Sequence, residues 1–164
     1  MLIMGIDPGT ATTGYAFVSE DDSGALRAVA YGAILTPPDQ PMAQRLQRIY
    51  AEIKRLIAEH QPTEAAIEEM FFGKNITAAI NVAQGRGVVL LALADSALPI
   101  REYKPAQVKQ TVAGYGNANK KQVQAMVKAL LGLDHIPKPD DAADALAIAI
   151  TALHSSRWER LVED

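Results

Sequence analysis

The chain has no cysteine among its 164 residues, which excludes a disulfide framework and any thiolate metal site. It also lacks an apolar run long enough to span a bilayer without charges, a basic leader before the first apolar stretch, and any internal repeat or low-complexity segment. A globular protein of cytoplasmic location is the expectation from these absences. No Ser or Cys nucleophile with a partnering base is recognisable, so covalent hydrolytic chemistry has no evident carrier. Phenylalanine occurs only 3 times, and two of the three are the adjacent Phe71 and Phe72. The length leaves room for one domain with a sizeable core and not for two ordinary ones.

Charge is scarce in sum and uneven in placement. The formal net charge is −3, yet residues 101–139 carry seven Lys or Arg against two acids, a balance of +5 that leaves −8 on the remainder. A basic segment on an acidic protein is the electrostatic footprint of a phosphate-binding face. A plain solvated surface has the same composition, and charge alone does not separate the two.

Residues 2–18 organise what is present. An uninterrupted apolar run ends abruptly at Asp7, and such runs read as strands buried on both faces at the centre of a sheet. Pro8-Gly9 then turns the chain, and Gly14 to Val18 begins a second strand that pairs back on the first. Asp7 is thereby held at the rim of the sheet, either to close the turn or to place a reactive carboxylate. Residues 26–35 alternate as a third antiparallel strand. From Pro41 to about His60 the apolar positions Met42, Leu46, Ile49, Ile53 and Leu56 mark one face of a helix. Ala65-Ala66-Ile67 is a short buried strand that again runs straight into acid, at Glu68-Glu69.

A helix over about residues 74–97 is apolar almost all round after Gly87, so its excess face is expected against another subunit. Gly85 and Gly87 inside it each cost about 1 kcal/mol relative to Ala, and close approach by another backbone accounts for them. A short fifth strand over residues 99–103, a small helix over 105–112 and a helix over 120–131, capped by Asn119 and closed by Gly132, follow. The last helix begins at Asp140 and extends to about His154, after which residues 156–164 are polar enough to fray. A single domain is thus expected over residues 1–155.

Four carboxylates stand at the ends of buried elements or on their first turns: Asp7, Glu68, Asp141 and Asp144. Asp141 and Asp144 share one helical face, and Asp144 lies among apolar neighbours where an unpaired carboxylate is costly. Asp140, directly after Pro139, is the natural N-cap, which leaves Asp141 free to point with Asp144. Such a cluster repels itself and suits a hard cation such as magnesium or manganese, which takes oxygen ligands and keeps positions open for water and phosphate. Two ions about 4 Å apart can activate a water and stabilise a departing oxygen on a phosphodiester. Lys109 and Lys120 lie in the basic segment, as phosphate contacts or as ordinary exposed lysines. Phe71 lies three residues past Glu68, as a core residue or as a platform for an unpaired base.

The stretches Gly5-Ile6-Asp7-Pro8-Gly9, Ala66-Ile67-Glu68 followed by Phe71, Gln107 to Val112, and Asp141 to Ala149 fall in one order across nearly the whole chain, and together they closely resemble the RuvC family of Holliday junction resolvases. The resemblance implies an α/β ribonuclease H-like nuclease domain, with a central five-stranded mixed sheet flanked by helices. It implies a homodimeric, magnesium-dependent endodeoxyribonuclease that nicks two opposed strands of a four-way DNA junction in recombination and DNA repair, with RuvA and RuvB as partners. It puts metal ligation on Asp7, Glu68, Asp141 and Asp144, phosphate contacts on Lys109 and Lys120, and base stacking on Phe71.

Two other functions compete. Asp7-Pro8-Gly9-Thr10 with Gly14 also looks like the first phosphate loop of the actin and sugar-kinase ATPases, which need a duplicated domain and a second loop that this chain lacks. A junction-binding scaffold without catalysis is the non-enzymatic alternative, although all four acids are present.

Overall fold

The computed structural model describes residues 1–70 and 73–163. Three strands open the chain, β1 (Leu2–Asp7), β2 (Thr12–Glu20) and β3 (Leu26–Leu35), followed by α1 (Met42–His60) and β4 (Glu64–Glu68). Then come α2 (Ile76–Asp95), β5 (Ile100–Tyr103), α3 (Pro105–Ala113), α4 (Lys120–Leu130) and α5 (Asp140–Glu163). The sheet runs in the order β3-β2-β1-β4-β5. The β1–β2 and β2–β3 pairs are antiparallel, and β4 joins β1 and β5 in parallel, so the sheet is mixed. Its first strand is its middle one.

Side chains alternate across a strand, and that period of two divides the core. Met4, Ile6, Phe17, Ala65 and Ile67 pack with Ile49, Ile53 and Leu56 of α1 and Val89, Ala92 and Leu93 of α2. Ile3, Ala16, Val18 and Ala66 face the other way, onto α5, with α3 and α4 beyond it. Every residue from Ala145 to Ile150 is essentially buried, because α5 is sandwiched between the sheet and the small helices.

Glycine sets how closely α5 lies. A Cβ on Gly5 would stand 2.9 Å from the Cβ of Ala149 and collide with the carbonyl of Ala145, and one on Gly14 would collide with the carbonyl of Asp141. The helix backbone therefore rests directly on β1 and β2. Gly85 answers to the expected close approach, since its Cβ would sit 2.9 Å from the carbonyl oxygen of Gly9. Gly87 does not, for among the described residues nothing beyond its own helix lies within 4 Å of the same position.

Two expected boundaries shift. α2 begins at Ile76, because the Asn75 side chain accepts from the amide of Ala78 at 3.1 Å and caps it there. α5 does not end near His154 with a frayed tail but stays helical to Glu163. Ion pairs hold the added turns: Glu159 to Arg101 at 2.7 Å, and Arg160 to Glu20 at 3.1 Å. α2 is long and apolar enough to cross a membrane by length and composition alone, although Val89, Ala92 and Leu93 are fully buried against the sheet.

Candidate active site

Parallel pairing of Ile6 with Ile67 brings the next residues, Asp7 and Glu68, to the ends of adjacent strands. Both follow the alternation onto the α5 face, continuing the Ile3-Gly5 row of β1 and the Ala66 position of β4. The seat on Gly14 lowers the first turn of α5 onto that rim. As a result, oxygens of Asp7, Asp141 and Asp144 all lie within 4.8 Å of one another. Two ends of the chain meet in one cluster.

The electrostatics follow from crowding and burial. Burial, reinforced by the charges of Asp144, Asp141 and Glu68 and by a hydrogen bond with Asp144, pushes the Asp7 carboxyl up to about 8. Burial and the Asp144 charge likewise raise Glu68, with Lys109 opposing them. Asp144 is raised by burial and relieved by Lys120 and by its bond with Asp7. Without further positive charge the group cannot ionise in full. The three carboxylates of Asp7, Asp141 and Asp144 at this spacing, all hard oxygen donors, fit a divalent cation, while Glu68 stands on the neighbouring strand outside that closest group.

The two lysines expected at phosphates stand beside these acids. Glu68, Lys109, Lys120 and Asp144 line one concavity of about 340 Å3, together with the α4 cap residue Asn119. Asn119 accepts from the amide of Gln122 at 2.9 Å, and Gln122 answers by accepting from the amide of Asn119 at 2.8 Å, which fixes Lys120 at the first turn of α4. Phe71 and Phe72 lie outside the described residues.

Asp140 departs from expectation. The carbonyl of Pro139 accepts from the amides of Ala142 at 3.0 Å and Ala143 at 3.3 Å, so Pro139 is the cap and Asp140 already stands in the first turn. The Asp140 carboxylate turns away from the helix amides to Lys120 at 3.2 Å and Gln124 at 3.2 Å. The Lys120 ammonium holds that carboxyl below its usual range. A cation on a neighbouring helix has outcompeted the local amides, which no spacing within residues 139–144 reveals. The roles of Gly5 and Gly14 as seats for a helix are equally hidden in the sequence, because a strand glycine carries no sign of what rests on it.

The loop after β1 does not offer a phosphate cradle. The Thr10 hydroxyl donates to the carbonyl of Asn81 on α2, and the Thr13 hydroxyl donates to the carbonyl of Gly9 at 2.6 Å. Its hydroxyls fasten the loop to the domain, which argues against the ATPase alternative.

Comparison with known proteins gives one answer. The family model described as Crossover junction endodeoxyribonuclease RuvC matches residues 3–152. A Heliobacterium modesticaldum protein of that name is 54% identical over 158 residues, covering 96% of this chain and 97% of the relative. The Thermus thermophilus RuvC structure aligns with a TM-score of 0.88 at 36% identity, over 96% of this chain and 97% of that one. The T. thermophilus protein in complex with a Holliday junction substrate aligns with a TM-score of 0.87 at 34% identity, over 96% of both chains.

Proposed function

The chain belongs to the RuvC family of crossover junction endodeoxyribonucleases and is thus an enzyme that resolves Holliday junctions in recombination, and we propose that Asp7, Glu68, Asp141 and Asp144 carry its chemistry. The observation that carries the assignment is the meeting of Asp7, Asp141 and Asp144 oxygens within 4.8 Å at the rim of the sheet. The family uses divalent metal. Magnesium is the ion we assign to this cluster, two per site, with manganese able to substitute. When bound, such ions lower the pKa of a coordinated water and stabilise charge on the phosphodiester oxygens. Asp7, Asp141 and Asp144 provide the ligand oxygens from rigid backbone, and Glu68 adds a fourth carboxylate from the next strand. Lys109 and Lys120 hold the strand by its phosphates. Phe71 retains the base-stacking role that the sequence suggests for it.

A nicking assay on a synthetic four-way junction, with linear duplex as control and with excess chelator as a third arm, tests the whole. Paired nicks confined to the junction and lost in chelator are expected. Junction binding without any nick in magnesium or manganese would instead support the scaffold alternative.

Lys109→Ala and Lys120→Ala will each weaken junction binding and lower the salt slope by about one unit, because each removes one phosphate contact. Asp140→Asn will leave nicking intact, since it frees Lys120 from its carboxylate partner and touches no metal ligand. Filter binding across a salt series and single-turnover cleavage check both. An unchanged slope in both lysine variants would make them bystanders.

A second copy of the chain is the partner we assign to α2. Ile76, Ile80 and Leu91 are exposed at 72%, 54% and 55% on a helix whose other face is core, and Gly87 between them has open space above it. Two opposed strands need two sites, and a twofold pair supplies them. Leu91→Asp will raise the dimer dissociation constant by about 100-fold or more, because it puts a charge into an apolar seam. Sedimentation velocity at micromolar concentration measures this, and a variant that stays dimeric would move the interface off α2. RuvA and RuvB complete the proposed partners, and the cytoplasm, where such DNA is processed, is the proposed location.

A further inference from the structure

A second concavity adjoins the first at Glu68 and Pro105. Where the first holds Lys109 and Lys120, the second, of about 230 Å3, is lined by the acids Asp7, Glu68 and Glu69, by Val82 and by one basic residue, Arg86. Glu68 belongs to both. The acids thus divide between the two concavities, Asp144 in the first, Asp7 in the second and Glu68 in both, with a basic group in each.

Arg86 is the lone basic residue of α2, on a helix that is otherwise apolar or uncharged until Asp95. Its side chain is only 16% exposed, and one terminal nitrogen pairs with Glu102 of β5 at 2.8 Å. The Nε is buried with no acceptor among the described residues. A buried donor without a partner is an unfavourable arrangement that native structures rarely keep without a reason. Glu102 is itself 47% exposed, so water and salt weaken its hold on the guanidinium. A guanidinium fork matches a phosphate through two parallel N–H bonds. Turning toward one would give the orphaned Nε its acceptor.

A scissile phosphate has a neighbour on each side along its strand, and the acids have a concavity with a basic group on either flank of Glu68. Resting on the assignment of the carboxylate cluster as the cleavage site, we propose that Arg86 binds the flanking phosphate on the side opposite Lys109 and Lys120. The concavity is then a second backbone subsite, and Arg86 holds the far side of the cut. Glu102 parks the guanidinium while the site is free of DNA.

The experiment is a scan of single neutral methylphosphonates along the cut strand of a four-way junction. Binding is measured with calcium in place of magnesium for the wild type, Arg86→Gln, Arg86→Lys and Glu102→Gln. Arg86→Gln is expected to lower affinity about tenfold and the salt slope by about one unit. That loss should vanish at one methylphosphonate position next to the scissile phosphate. Arg86→Lys should restore the slope and only part of the affinity, since it keeps the charge and loses the fork. Glu102→Gln should bind as well as the wild type or tighter. If Glu102→Gln instead weakens binding as much as Arg86→Gln does, the pair is structural and the subsite is overturned. An Arg86→Gln loss that persists at every substituted position overturns it equally. A wild type that nicks the junction while showing either result separates this failure from failure of the resolvase assignment, whereas a wild type that neither prefers nor nicks the junction takes both down.

Discussion

Asp7→Asn will abolish junction nicking and, in the same protein, raise the melting temperature of the metal-free form at pH 8. Nicking falls by about 1,000-fold or more because the substitution removes a charged ligand from the centre of the cluster while leaving Lys109, Lys120 and the fold in place. Stability moves the other way for a reason that lies in the carboxyl's own titration. In the folded chain Asp7 loses its proton at about 8, pushed there by burial and by Asp144, Asp141 and Glu68. In the unfolded chain it loses that proton near the usual value of about 4. The folded state thus holds a proton that the unfolded state has released throughout the interval between. Its contribution to stability is fully present below about pH 4, shrinks as pH rises, and is gone above about pH 8. Asn never ionises and escapes this loss. A gain of about 2 kcal/mol, or roughly 4–8 °C for a chain of this size, is expected at pH 8, and little of it at pH 4. Magnesium should raise the melting temperature of the wild type and leave that of Asp7→Asn nearly unmoved. Scanning calorimetry at the two pH values, with and without magnesium, checks all of this. A variant less stable than the wild type at pH 8 in chelator would mean that Asp7 is held as a charge by some other partner.

Gly14→Ala will cost more activity than its single methyl group suggests. The added Cβ would collide with the carbonyl of Asp141 and lie 3.0 Å from the Asp141 Cβ, so the first turn of α5 must lift. Overpacking of this kind costs about 1–3 kcal/mol of stability. The loss of nicking should be larger, since Asp141 and Asp144 ride on that turn and a ligand set displaced by even about 1 Å loses its geometry. Equal nicking by Gly14→Ala and the wild type would show that α5 is not seated where the glycine places it.

Much of this was legible in the residues because the signals were local. The apolar run into Asp7, the alternation of β3, the helical spacing of α1 and the Asn119 cap each depend on neighbours a few positions away, and each element formed where that pattern put it. The pairing of Asp141 with Asp144 was legible for the same reason. What escaped depends on partners distant in sequence. Asp140 reads as a cap until Lys120 is seen across the gap between α4 and α5. The last turns of α5 read as a frayed tail until Arg101 and Glu20 are seen to receive Glu159 and Arg160. Arg86 reads as a stray charge on an apolar helix until the helix is laid beside the acids.

The cluster joins the central strand β1 to the helix α5, with the elements from β2 to α4 between them in chain order. A nascent chain still lacking α5 has Asp7 and Glu68 but no Asp141 or Asp144, and the Gly5 and Gly14 seats are empty. Its β1 also remains open to water on the face that α5 will cover. Contacts between such remote segments form late and slowly in folding. Cutting therefore depends on the docking of one helix on the sheet, and any change that lifts α5 from β1 and β2 takes the cluster apart without touching a carboxylate.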